Sequence, residues 1–335
     1  MPVFEPNSFP HRPTTWDFIH ARNMDGLFEY VEKNVELAPV CIPSYKFRKE
    51  AKLVRNNPFS SKVYVFVYED DFVESGYDKY DGYKGDIEFV KISKKDFEDN
   101  GFTWRGIAPK RAFIQRYMRK LGIKKYFMID DDISTRISYS YKKRDNACGS
   151  CQMKNSTLEN AMKIAQMVGE EHPEYKQIGF PFTQLTSQFF DFQKDIEEKC
   201  ICGVMYFNDM PEGIEFKNTF TSSEDYDFFF TCRENGVKCG SVPYITVFFG
   251  FGNTSTHNNE TIPLNDYIAH PGFIDLKVTI HDLLRSTINY VRIKHNHPKP
   301  VDEKLMELCK AGDVAAVKAY VPHLKSRRKM PTKVQ

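Results

Sequence analysis

Gly106–Ile133 reads GIAPKRAFIQRYMRKLGIKKYFMIDDDI, and its second half decides the fold. Lys125–Ile129 (KYFMI) is a short apolar run that stops at Asp130-Asp131-Asp132. Such a run, bounded by polar residues, reads as a strand buried on both faces of a parallel sheet. The first half has helical period. Ile107, Phe113, Ile114, Tyr117, Met118 and Leu121 share one side of a helix over 106–121, and Gly122 ends it as a C-terminal glycine does. A helix feeding a buried strand is the repeating unit of an α/β sheet.

The same alternation continues upstream. Ala38–Tyr45 (APVCIPSY) is an apolar run stopped by Pro43. Lys62–Tyr68 (KVYVFVY) is rich in β-branched and aromatic residues and ends in Glu69-Asp70-Asp71. Asp86–Ile92 (DIEFVKI) is a third strand, and a helical stretch over roughly Thr15–Val35 leads in. Downstream, 138–157 is polar and basic and reads as a loop or lid. Leu158–Val168 reads as a helix, while Ile178–Phe192, Ile201–Asn208 and Val242–Phe251 are strand-like. Ser222–Asn235 starts acidic, becomes a helix and closes at Gly236. Ile274–Lys294 is helical, and residues 301–335 read as a small helical pair with a basic tail.

The expected fold is therefore α/β: a Rossmann-type, mostly parallel sheet with helices on both faces and a small C-terminal helical appendage. Ligands of such sheets bind beyond the carboxyl ends of the strands. Ser44/Tyr45, Glu69/Asp70 and Asp130–Asp132 all fall there.

The chain has 335 residues and a net charge of +2, so it is no polycation, and any nucleic-acid contact must come from a local basic patch. No apolar run approaches the ~20 residues that span a membrane. Met1–Pro6 lacks the basic-then-apolar pattern of a signal peptide, which points to the cytoplasm. On that expectation the eight cysteines are reduced thiols. Cys148, Cys151, Cys200 and Cys202 could alternatively hold a structural zinc, although their spacing does not fit the common two-knuckle pattern.

Three constellations carry candidate chemistry. Three adjacent carboxylates, Asp130–Asp132, repel one another unless a cation is near. Oxygen-only ligands suit Mg²⁺ or Mn²⁺ bridging a diphosphate; a solvated acidic turn is the plainer reading. Lys110 and Arg111 stand at a helix start, where phosphate binds well, or else on a solvated helix face. Glu224, Asp225 and Asp227 surround Tyr226 ahead of an apolar Phe228-Phe229-Phe230. One or two of these acids serve as helix caps, and one could be a general base toward an acceptor hydroxyl. His257, in a polar loop, is a candidate metal ligand.

These residues, in this order, resemble the GT-A glycosyltransferase fold over about residues 38–250. The resemblance rests on an Ile-Pro-Ser-Tyr strand end, an acidic end to the next strand, a Gly-x-x-x-x-Arg helix, an apolar strand into D-x-D, and a later Glu-Asp before a Gly-terminated helix. It implies a lead-in over 1–37, a catalytic domain over 38–295 (donor half 38–137, acceptor half 138–295), and the appendage. More narrowly, GIAPKRAFIQRYMRKLGIKKYFMIDDDI resembles the phage and TET/JBP-associated glycosyltransferases that act on hydroxymethylated pyrimidines in DNA. That group often has Asp-Asp-Asn where Asp130-Asp131-Asp132 stands, and Ala-Arg-Asn where Lys110-Arg111-Ala112 stands.

The resemblance implies roles. Pro43, Ser44, Tyr45 and Glu69 surround uracil and ribose, with Arg48, Lys110 and Asp131 also on the donor side. Arg111 holds the diphosphate or the aspartates. Asp130 faces the ribose and joins Asp132, the principal metal ligand. Asp225 is the base if the reaction inverts the anomeric centre, with Asp227 in reserve; inversion and retention both stay open. The implied donor is a UDP-sugar of the glucose or arabinose class, and the implied acceptor is 5-hydroxymethylcytosine or a related base in double-stranded phage DNA. A phage protein would act in the host cytoplasm. Lys142, Lys143 and Arg144, with Tyr139 and Tyr141, and Arg327 and Arg328 in the tail, are candidate DNA contacts; solubilising charge is the plainer reading. A transferase acting on a glycan, protein or small molecule, a nucleotidyltransferase on the same sheet, and a non-catalytic binding module all share these features.

Overall fold

Side chains along the strands alternate between two cores, one on each face of a central sheet. A computed structural model describes residues 12–21, 23–47, 51–102, 106–140, 153–180, 194–199, 201, 203–216 and 224–249. In chain order the elements begin with α1 (Thr15–His20), α2 (Met24–Asn34), β1 (Val40–Pro43), α3 (Lys52–Arg55), β2 (Val63–Tyr68) and α4 (Glu69–Glu74). Then come a 3-10 turn (Tyr77–Lys79), β3 (Ile87–Ile92), α5 (Lys94–Asp99), α6 (Ile107–Lys120), β4 (Lys125–Ile129) and β5 (Ile133–Ser140). They continue with β6 (Met153–Thr157), α7 (Leu158–Glu171), β7 (Tyr175–Gly179), β8 (Glu197–Glu198), β9 (Val204–Asn208), α8 (Glu224–Glu234), β10 (Lys238–Ser241) and β11 (Ile245–Phe249).

The main sheet has the order β3-β2-β1-β4-β9-β7-β10-β8. β3, β2, β1 and β4 are mutually parallel, as are β7 and β10. β9 is antiparallel to both β4 and β7, and β8 is antiparallel to β10. Successive strand residues face opposite sides, so each strand feeds both cores. Val65, Val67, Phe127, Ile129 and Tyr206 join α1, α2, α3 and α7 on one face. Phe66, Tyr68, Tyr126, Met128 and Phe207 join α6 and α8 on the other. The α/β expectation is met by a large, mostly parallel sheet with helices on both faces. Gly122 (φ 72°) and Gly236 (φ 71°) follow α6 and α8 in the left-handed conformation that favours glycine.

Several elements differ from expectation. The stretch 15–35 is two helices, because the Asn23 side chain accepts from Gly26 N and starts a new one. Both helices pack into the core: Phe18, Leu27 and Val31 are fully buried in it. The expected loop 138–157 contributes strands at both ends, where β5 pairs with β6 and β11 in a small antiparallel sheet. Ile133, Ile137 and Tyr139 point inward at alternate positions and hold β5 to the core. Tyr139 is therefore no DNA contact. Its ring lies 4.4 Å from that of Phe28, and its hydroxyl donates to Asp25 Oδ1 at 2.6 Å.

Arg48, Lys142, Lys143, Arg144, Cys148, Cys151, Cys200, Cys202, His257, Arg327, Arg328 and the expected appendage lie outside the described residues. Of the cysteines, Cys41, Cys232 and Cys239 are buried, and Cys41 and Cys232 are free thiols. Among the described residues, no helix is long and apolar enough to cross a membrane.

Candidate active site

The parallel strands β1, β2 and β4 end side by side, and α6 starts beside those ends. α6 is seated by its apolar face: Ala112, Ile114 and Met118 are fully buried, and Phe113 and Tyr117 pack edge-on against Phe66. Tyr68, last in β2, bonds the entry to this helix. Its hydroxyl accepts from Gly106 N at 3.2 Å and donates to Gly106 O at 3.3 Å. The first turn of α6 is thereby pressed inward, and its two cations become interior. Lys110 and Arg111 are each 1 % exposed.

Their surroundings explain why such costly burial is tolerated. Lys110 Nζ donates to the Ser44 carbonyl at 2.6 Å and lies 4.6 Å from the centre of the Tyr68 ring. Arg111 reaches three carboxylates from two distant segments. Its Nη2 donates to Asp130 Oδ1 at 2.6 Å, its Nη1 donates to Glu224 Oε1 at 2.8 Å, and Nη1 also donates to Asp225 Oδ1. The flat guanidinium can do this because it presents its donors in a fork. Its carbon lies 5.4 Å from the centre of the Phe216 ring, and its Nε is buried without a hydrogen-bond partner.

Glu224 and Asp225 open α8, which is positioned by the aromatic residues after them. Phe228 stacks on Phe216 at 4.2 Å and Phe229 is buried in the same core. The apolar run thus fixes the acids at the site. Asp227 lies on the same helix. Burial pushes the Asp225 carboxyl well above the ordinary carboxylate range. Arg111 opposes that rise, while Glu224 and Asp130 add to it. One guanidinium against three acids leaves excess negative charge.

The three aspartates after β4 separate rather than converge. Asp130 turns to Arg111. Asp131, 3 % exposed, accepts from Ser44 Oγ at 2.8 Å and so ties the end of β4 to the end of β1. Asp132 is half-buried on the turn into β5. This donor set fits a hard divalent ion, being carboxylate oxygens beside excess negative charge. Arg111 takes Asp130 Oδ1 and leaves Oδ2.

Past Pro43, which has no N–H to continue the ladder, the chain turns sharply. Lys46 (φ 57°) and Phe47 (φ 39°) are left-handed, a strained choice for residues with a Cβ. The turn is held from outside. Lys46 N donates to Asp71 Oδ2 at 2.9 Å, and Phe47 N donates to the Tyr77 hydroxyl at 3.0 Å. The Tyr77 hydroxyl also lies 2.9 Å from Ser44 Oγ. Tyr45 is half-buried beside Lys46 and Lys110. Glu69 begins α4 and is exposed at the rim of a cavity of about 500 Å³ between the ends of β2 and β3 and α5.

Asp71, Tyr77 and Phe216 belong to the site without having been expected there. Tyr77 and Phe216 lie in no motif, and Asp71 is the last of the Glu69-Asp70-Asp71 run that follows β2. Tyr77→Phe should cost about 1–3 kcal/mol, because Phe47 N loses its buried acceptor. Urea denaturation measures it; an unchanged midpoint would show that the turn does not depend on this hydroxyl.

A parallel sheet whose strand ends carry an arginine-clamped acidic cluster, with a carboxylate-bearing helix opposite, defines a GT-A-like protein. The chain belongs to the TET-Associated Glycosyltransferase family, whose sequence profile matches residues 40–251 and so takes in β1 through β11. It is accordingly a glycosyltransferase, of a family tied to the modification of DNA bases. Among curated proteins no match was found.

Proposed function

We propose that the protein transfers a sugar of the glucose or arabinose class from its UDP conjugate to the hydroxymethyl group of a modified pyrimidine, 5-hydroxymethylcytosine foremost, in double-stranded phage DNA. The observation that carries this reading is Arg111, which joins Asp130 at the end of β4 to Glu224 and Asp225 at the start of α8. One cation thereby registers the donor side against the acceptor side.

Uracil and ribose are assigned to Pro43, Ser44, Tyr45 and Glu69, near the ends of β1 and β2, with Arg48 also on the donor side, and Asp130 faces the ribose. The buried, unpartnered Arg111 Nε supports an anionic diphosphate nearby. In an inverting transfer, the acceptor oxygen bonds to C1 of the sugar as the bond from C1 to the diphosphate breaks. The acceptor proton passes to the Asp225 carboxylate, and UDP leaves. Mn²⁺ or Mg²⁺ on Asp132 and Asp130, with His257 as a further ligand, supplies positive charge to the diphosphate when bound. The modified base is flipped or entered from the groove, and Lys142, Lys143, Arg144, Arg327 and Arg328 hold the backbone.

Asp132→Asn should lower Mn²⁺-dependent turnover roughly a hundredfold or more, the scale of losing one charge-stabilising group. UDP release with and without EDTA measures this, and parental turnover in the variant would remove the metal assignment. The acceptor is tested by comparing UDP release on hydroxymethylcytosine DNA with release on unmodified DNA. Strong preference for the former is expected. Equal release on both would point to another acceptor, and pyrophosphate release from a nucleoside triphosphate would indicate a nucleotidyltransferase.

A further inference from the structure

Three side chains with metal-binding atoms converge where α7 ends. Glu171 closes the helix, His172 follows it, and Asp195 comes from the residues that lead into β8. One ligand atom from each lies within 4.8 Å of the others. His172 Nε2 and Asp195 Oδ2 are 2.5 Å apart. Glu171 accepts from Thr15 N at 2.9 Å and from Thr15 Oγ1 at 2.5 Å. This cluster is separate from the Arg111 site. β4 and β7 run parallel, since both oppose β9. Asp130 follows the carboxyl end of β4, whereas His172 precedes the amino end of β7.

An ion pair explains His172 and Asp195 by itself. It does not explain why a second carboxylate and a buried hydroxyl meet them. Tyr244 is wholly buried, and its hydroxyl makes no hydrogen bond of good geometry. Its burial, and then the charges of Glu171 and Asp195, hold the phenol protonated. The hydroxyl is thus a buried polar oxygen near Glu171 and Asp195.

We infer that Glu171, His172 and Asp195 form a second metal site, for a divalent transition-metal ion of the zinc class. One imidazole nitrogen with two carboxylate oxygens is a mixed set that such ions accept, whereas Mg²⁺ and Ca²⁺ favour oxygen alone. Thr15 and Tyr244 supply the outer donors that orient ligand carboxylates. The bound ion ties the end of α7 to the residues entering β8 and, through Thr15, to α1. Its role is to hold the fold, apart from the transfer reaction.

The test is a zinc titration of the chelator-stripped full chain by calorimetry, with Asp132→Asn, His172→Ala and Asp195→Asn run beside it. The parent is expected to bind one equivalent more than His172→Ala or Asp195→Asn, and adding His172→Ala to Asp132→Asn is expected to remove one further equivalent. Zinc should also raise the thermal midpoint of the parent more than theirs. Glu171→Gln keeps an acceptor for Thr15 and guards against simple misfolding; it should weaken zinc binding at least about tenfold. Equal stoichiometry and affinity in the parent and all three cluster variants would show an ion pair only and overturn the inference. So would unchanged stoichiometry on adding His172→Ala to Asp132→Asn.

Discussion

Arg111→Ala is expected to destabilise the protein by about 3–5 kcal/mol, the cost of leaving buried charges without their partner. Arg111 is the guanidinium on Asp130, Glu224 and Asp225, and it is 1 % exposed. Without it, three acids face one another across the gap between β4 and α8. Arg111→Lys should recover only part of the loss, because an ammonium lacks the planar fork that serves both sides at once. The double variant Arg111→Ala, Asp225→Asn should be more stable than Arg111→Ala alone, since it removes one of the stranded charges. Urea denaturation of the set decides the matter. A midpoint for Arg111→Ala within about 1 kcal/mol of the parent would mean the acids find other partners.

The largest expected loss of activity with the fold retained is at Asp225. Asp225→Asn should lower turnover by about 10²–10⁴-fold, the usual contribution of a general base, with UDP affinity retained. The amide can still accept from Arg111, so α8 stays docked. The pH profile gives an independent reading. The base works ionised, and its carboxyl is raised by burial, then further by Glu224 and Asp130 against the pull of Arg111. Activity of the parent should therefore fall as pH drops through a value above the ordinary carboxylate range. A limb at the ordinary carboxylate position would contradict the raised pKa. Loss of UDP affinity with turnover retained would make Asp225 a donor-site residue.

Much of the frame was legible because its signals are local. Apolar runs marked β1, β2 and β4, and Gly122 and Gly236 marked the ends of α6 and α8. The direction of β9 was not legible, since VMYFN is apolar throughout and reads alike in either sense. β5 and β6 were hidden because ISTRISYS and MKNST are rich in polar residues. The candidate site was legible as residue types but not as pairings. Arg111 stood out as a phosphate ligand on a helix start, yet its carboxylate partners include two from α8. Asp131 had no particular role until Ser44 was found on it. Asp71 and Tyr77 act through the backbone of a left-handed turn, which leaves no mark in residue type.

The central claim is one of donor, acceptor and bond formed. It is tested most directly by mass spectrometry of nucleosides from hydroxymethylated DNA incubated with the full chain, Mn²⁺ and a panel of UDP-sugars. The account predicts a hydroxymethylpyrimidine nucleoside heavier by one hexosyl or pentosyl unit, absent with unmodified DNA and strongly reduced with Asp225→Asn. Hydroxymethylated nucleosides of unchanged mass with every donor, while the same protein transfers the sugar to a glycan or small-molecule acceptor and releases UDP, would contradict it.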